Sequence, residues 1–192
     1  MFILTSGNTV TMFLYHLAVN SEKQELLRDE IQRVIGNNGE ITESKINQLK
    51  YLRACMRESM RLFSAVLGVG RRTQVEMTLS GYFIPKGTYV STMFNNFHLD
   101  SSQFPNPEKF IPERWLRGCP THHNAHPFAY IPFAHGPRMC IGRRFAELEM
   151  IVLVIKMIQK FQLEYHHEPI TYETGFTAKP SKAVNLKLIH RY

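Results

Sequence analysis

The chain has 192 residues, 44% hydrophobic and 20% charged, and its 23 Lys and Arg against 16 Asp and Glu leave a formal charge of +7. That balance excludes a disordered tail and leaves room for one domain with a real core, while the basic excess favours acidic partners. Three scattered cysteines, Cys55, Cys119 and Cys140, are too few for a disulfide framework and suggest a reducing compartment.

The start, "MFILTSGNTVTMFLYHLA", has neither the basic front nor the cleavage site of a signal peptide, and no apolar run reaches the ~18 residues of a membrane span. It reads as the interior of an amphipathic helix, as though residues were missing before it. Phe13 and Leu17 continue at helical spacing, as do Leu26, Leu27, Ile31 and Val34 after a break near Asn20 and Ser21. Ser21 is the expected N-cap of this second helix. "GNNGE" (36–40) is a turn by composition. Thr42 then caps a helix that carries Ile46, Leu49, Leu52, Met56 and Met60 toward a core.

The stretch "RTQVEMTLSGYFIPKGTYVSTMF" alternates around Gly81, Pro85 and Gly87, which predicts a small β-hairpin system. Residues 101–138, rich in Pro, Gly, His and aromatics, read as an irregular packed meander. A long helix begins near Cys140, with Ile141, Phe145, Leu148, Val152, Ile155 and Ile158 stepping by three or four. Apolar on more than one face, it is expected to be deeply buried. Short strands follow from Pro169. The fold class is mainly α with minor β, in a single domain.

"PFAHGPRMCIGRR" (132–144) sets one cysteine among glycines and arginines. A helix start and nearby cations favour a thiolate, and glycines let backbone approach closely. Such a loop suits a soft metal ligand lying against a flat cofactor, as in haem held by a cysteine.

"FAHGPRMCIG" (133–142) resembles the haem-ligand loop of the cytochrome P-450 superfamily, FxxGxRxCxG, at Phe133, Gly136, Arg138, Cys140 and Gly142. In the family's order, "ESMR" (58–61) resembles its ExxR, "GYFIPKGT" (81–88) its intervening strand and "FIPERW" (110–115) its PERF/PERW stretch. Glu58 and Arg61 lie at i,i+3 and can pair on one helix face. The resemblance implies that the chain is the C-terminal part of the cytochrome P-450 fold, one partial domain over 1–192. It implies haem b (iron protoporphyrin IX) with Cys140 as its axial iron ligand. It implies propionates held by Arg71, His98 and Arg138, with Arg72 an alternative register for Arg71, and a bracing cluster of Glu58, Arg61 and Arg114. The implied reaction inserts one oxygen atom of O2 into a small lipophilic substrate.

Thr5 falls on the family's proton-relay threonine, but Leu4 stands at the acidic position and Phe2 at a glycine. The acid–alcohol pair is not intact, and an artificial or truncated start is the preferred explanation. Arg53 and Arg57 at i,i+4, with Arg143 and Arg144 after the cysteine, resemble the mitochondrial branch. Its donor is an acidic, adrenodoxin-like ferredoxin fed by an NADPH–ferredoxin reductase. The resemblance places the protein on the matrix face of the inner mitochondrial membrane, any membrane association passing through the absent N-terminal part, with no nucleic-acid partner.

Three rival readings stand beside this one. One is a truncated fragment without catalysis, another a haem-thiolate isomerase or dehydratase. The third is a Cys/His metal module built on Cys119, His122, His123 and His126 of "CPTHHNAH". Cys55 reads as an ordinary core thiol.

Overall fold

In the computed structural model, residues 2–37, 39–122, 124–175 and 177–191 are described. Four helices build the core: α1 (Phe2–Ala18), α2 (Ser21–Val34), α4 (Lys50–Leu62) and α6 (Arg143–Lys160), joined by the short α3 (Glu43–Gln48) and α5 (Phe94–His98). Leu17, Leu27, Ile31, Leu52, Val154, Ile155 and Ile158 meet between them and are wholly buried. A smaller cluster joins Met12 and Tyr15 of α1 to Phe63, Ile170 and Ala178.

The break between the first two helices falls where the sequence places it, but the capping differs. Asn20, not Ser21, is the N-cap residue, and its side chain makes no cap bond. Asn20 Nδ2 instead donates to the His16 carbonyl and satisfies the end of α1. Leu26 is exposed and Leu27 buried, since neighbours on a helix cannot share one face.

Thr42 does cap its helix, accepting from the Lys45 amide. The single helix expected from there to Met60 is two, interrupted at Leu49, whose ψ of 78° is not helical. Leu49 is buried and offers no cap to α4. The cap comes from another helix: the buried Glu30 of α2 accepts from the amides of Tyr51 (2.8 Å) and Leu52 (2.9 Å). Two charge-assisted bonds at a helix start orient α4 and everything it carries. Glu30→Ala is expected to lower stability by about 2 kcal/mol in urea denaturation, while Glu30→Gln, which keeps an acceptor, recovers part of it.

The β segment is a nested pair of hairpins. β1 (Gly68–Arg72) pairs antiparallel with β4 (Tyr89–Met93), and β2 (Met77–Leu79) with β3 (Tyr82–Ile84). The inner turn holds Ser80 and Gly81 at φ 49° and 84°, the primed geometry that suits a two-residue hairpin. Gly68 and Gly70 let the partner strand close in, for a Cβ on either would strike the Thr92 carbonyl or the Tyr89 hydroxyl. Residues 101–138 form the expected meander, with 3-10 turns at Pro112–Trp115 and Pro127–Ala129. After α6, β5 (Phe161–Glu164) pairs with β8 (Lys187–His190), and β6 (Tyr172–Glu173) with β7 (Lys179–Pro180).

The long helix departs from expectation twice. It starts at Arg143, three residues after the cysteine. Its buried face is Met150, Ile151, Val154, Ile155 and Ile158, whereas Ile141 before it, Phe145 and Leu148 are 97%, 68% and 49% exposed. Apolar periodicity identifies a face that avoids water; it does not say whether a partner lies opposite. Among the described residues only one of the two apolar faces finds one. No described helix is long and apolar enough to cross a membrane.

Candidate haem-thiolate site

A buried ionic frame stands under the site. Glu58 and Arg61, one helical turn apart on α4, are both wholly buried. Arg61 donates to both Glu58 oxygens through Nη2 (2.8 Å) and Nε (3.0 Å). Arg114 Nε adds a bond at 3.0 Å, the Ile111 amide another at 3.0 Å, and Trp115 Nε1 reaches the second oxygen at 2.8 Å. The remaining guanidinium donors hold the meander: Arg61 binds the carbonyls of His98 and Lys109, and Arg114 those of Pro105 and Asn106. The Glu–Arg–Arg cluster therefore assembles from Glu58, Arg61 and Arg114. Trp115 is a fourth member, hinted at only by its place after Arg114.

His98 belongs to this frame and not to a propionate site, which corrects the sequence expectation. It is fully buried, and both ring nitrogens are taken. Nε2 accepts from the Ile131 amide at 3.2 Å, so the proton sits on Nδ1 and points to Ser64 Oγ at 2.9 Å. Ser64 passes a bond to the Met60 carbonyl. The imidazole thus ties Ser64, just past the end of α4, to Ile131, two residues before the cysteine loop. A second buried histidine, His16 of α1, lies 2.9 Å from Ser59 Oγ of α4 and stacks on Phe110. Burial, with Arg61 nearby, lowers His98 to about 4 and His16 to about 3. His16 carries no sequence signal beyond its place on an amphipathic helix.

The loop itself is tied at its base, where the Cys140 amide donates to the Phe133 carbonyl at 2.9 Å. Gly136 sits at φ 80°, which any side chain would strain, and Ala134 bears a φ of 59° despite its Cβ. The Met139 amide closes a turn on the Gly136 carbonyl. Gly142 is the N-cap of α6 at φ −82°, a conformation open to any residue. Cys140 is exposed, as are Met139, Ile141 and Phe145 beside it. A thiol presented on a tied loop amid exposed apolar side chains fits a flat, iron-centred cofactor that covers the same surface.

Arg138 is exposed and makes no hydrogen bond or ion pair with the described residues, so its fork is open to a carboxylate. Arg71 and Arg72 point to opposite faces of β1. Arg72 donates across the hairpin to the Gly87 carbonyl, while among the described residues Arg71 reaches only the neighbouring Gly70 carbonyl. That division favours Arg71 over Arg72 as the cation left to bind. Thr5 lies in α1, its carbonyl accepting from Thr9 Oγ1 at 2.8 Å. Leu4 beside it is exposed. The side chain of Phe2 lies outside the described residues.

Beside the loop is a cavity of about 470 Å³. Arg53, Arg57 and Arg143 line it, over a floor that includes Trp115, Tyr130 and Phe133. Arg57 lies over the Trp115 ring and Arg143 over that of Phe133. Arg144, paired with Arg143 in the sequence reading, is exposed one helical step round and does not line the cavity. Glu147 alone among the lining residues is acidic, and it holds Arg143 Nε at 2.9 Å.

Among the described residues no group of three or more His, Cys, Asp or Glu is placed to hold a metal ion, and Cys119, His122 and His126 do not converge. His123 lies outside the described residues. His122 faces the Arg114 carbonyl, and His126 caps the 3-10 turn at Pro127. Cys55 is fully buried, and burial pushes its thiol well up, as for a core residue.

A tied thiol loop, a buried Glu–Arg–Arg frame and mainly α architecture define the class: a haem-thiolate protein. The cytochrome P450 family model matches residues 3–187, and the chain belongs to the cytochrome P-450 family, whose cofactor is haem b. Among curated proteins it is similar to the probable cytochrome P-450 49a1 of Drosophila melanogaster, 37% identical over 195 residues that cover 97% of this chain and 33% of that one. The probable mitochondrial cytochrome P-450 12a5 of the same fly is 39% identical over 173 residues, 85% of this chain and 32% of that one. The probable cytochrome P-450 4d20 is 34% identical over 186 residues, 96% of this chain and 36% of that one. The chain spans about a third of the length of the curated relatives it matches.

Proposed function

We propose that the protein is a haem-thiolate monooxygenase of mitochondrial type, drawing electrons from NADPH through a reductase and an acidic ferredoxin. The observation that carries this reading is Cys140, exposed on a tied loop that His98 and the Glu58 frame hold in place. Haem bound there supplies oxygen activation, in which thiolate donation favours O–O cleavage, so that a substrate C–H, O2, two electrons and two protons give an alcohol and water. Cys140 provides the thiolate. Arg138 and Arg71 pair with the propionates. Glu58, Arg61 and Arg114 keep the meander from shifting beneath the cofactor. Thr5, on α1, is the proton-relay hydroxyl. Arg53, Arg57, Arg143 and Arg144 attract the donor to the thiolate side.

Several relatives carry "mitochondrial" in their names, which supports placing the protein in that organelle, on the matrix side of the inner membrane. The substrate class is small and lipophilic. Leu4 in place of an acid favours a second reading, a haem-thiolate isomerase or dehydratase that uses no O2.

The test is spectroscopic. The chain is expressed with haem supply, reduced and exposed to carbon monoxide. A red-shifted Soret band of thiolate-ligated ferrous haem is expected, and Cys140→Ser is expected to abolish it. A band surviving in Cys140→Ser removes Cys140 as ligand. No band in either chain supports the reading of a fragment that does not hold a competent site. NADPH consumption matched to product, with reductase and ferredoxin present, separates monooxygenation from isomerisation.

A further inference from the structure

We infer that Glu147 is a built-in competitor for the electron donor, occupying on Arg143 the place that a carboxylate of the acidic ferredoxin takes when it docks. This rests on the reading of the arginine-lined cavity as the donor's docking place.

The argument begins with the helix. Arg143 is the first residue of α6, at the positive end of its dipole, where a cation is disfavoured. The ion pair with Glu147 runs in the less favourable i,i+4 order, with the base N-terminal to the acid. Helix stability therefore does not account for an arginine there. The pair is also accessible, the two side chains being 47% and 22% exposed. Exposed pairs of this kind are weakly held and exchange partners at little cost.

The surroundings say what exchanges. Three arginines line the cavity against this one carboxylate. Arg57 makes no hydrogen bond or ion pair with the described residues and rests over Trp115. Arg53 donates to the Asn47 side chain, which leaves its charge unneutralised. An incoming acidic side chain thus meets two uncompensated cations and one already paired. Arg143 lies over Phe133, the first residue of the cysteine loop, and of the three cavity arginines it stands nearest Cys140 in the chain. The Tyr130 hydroxyl, on the same cavity wall as Glu147, is buried with no hydrogen-bond partner among the described residues. Glu147 thereby sets both how tightly the donor binds and which arginine it engages.

Affinity for an immobilised acidic [2Fe–2S] ferredoxin is the readout, taken over a salt series by surface plasmon resonance. Glu147→Gln is expected to tighten binding roughly three- to tenfold at low salt, with the gain fading toward molar salt. In the Glu147→Gln, Arg143→Gln double variant the gain is expected to vanish. A gain that persists without Arg143 overturns the competition, since it then reflects only the general field. No gain, or a loss, in Glu147→Gln overturns it too. In either case weakening by Arg57→Glu leaves the docking assignment standing. If the unaltered chain shows no salt-dependent binding, the ferredoxin reading fails and this inference with it.

Discussion

Glu58→Ala is expected to lower stability by about 3–5 kcal/mol. Glu58 accepts five hydrogen bonds, and its partners Arg61 and Arg114 are themselves buried. Removing the carboxylate leaves two guanidinium charges in the interior with only carbonyl acceptors. A buried ion network does not by itself prove net stabilisation, but breaking one strands the surviving charges. Set against a typical total of about 5–15 kcal/mol, the loss is a large fraction of the whole. The chain has one tryptophan, and Trp115 Nε1 bonds to Glu58, so intrinsic fluorescence reports the site directly. Urea titration should show a lower midpoint with a red-shifted native emission. The partly exposed pair of Lys23 and Glu113 is the contrast: Lys23→Ala is expected to cost under about 1 kcal/mol. A Glu58→Ala loss no larger than that would refute the frame.

The second large effect is acid sensitivity well above the carboxylate range. His98 and His16 are held neutral in the folded state, at about 4 and about 3, against 6.5 for a free imidazole. Between those values the unfolded chain binds more protons than the folded one, so stability rises with pH. Put the other way, it falls as pH drops below about 6.5 and keeps falling until the folded-state values are passed. At pH 5 each histidine removes roughly 2 kcal/mol. Protonation of His98 Nε2 also abolishes its acceptance from the Ile131 amide, so the cysteine loop loosens with the core. His98→Gln keeps an acceptor without a titrating group. Its stability between pH 6.5 and 5, followed by urea unfolding at each pH, should have about half the slope of the unaltered chain. An unchanged slope would place the acid sensitivity elsewhere.

Much of this was legible from residue order. The four-motif resemblance located Cys140 and the Glu58, Arg61 and Arg114 cluster, and all three frame residues converge. Thr42 as a cap and Gly81 in a hairpin turn follow from local backbone chemistry. The misreadings share one cause. By position His98 resembles a propionate ligand, whereas its role is fixed by Ser64 and Ile131, 34 and 33 positions away. Ser21 looked like the cap by type, but Asn20 occupies the position and turns back to α1.

Sequence by itself determined what depends on a few neighbouring bonds: helical and strand periods, turn residues, the i,i+3 pair on α4 and the spacing of the thiol loop. Tertiary structure alone decided which faces and charges meet. It set Glu30 over the start of α4, Trp115 on Glu58, and Arg53, Arg57 and Arg143 around one cavity while sending Arg144 away. It also left Phe145 and Leu148 in water and buried Ile151 and Ile155 on the same helix. The physical reason is range. Backbone sterics and side-chain period act over a turn or two, so they are written in order along the chain. Burial and ion pairing are set by what lies opposite, and that is fixed only when distant segments pack.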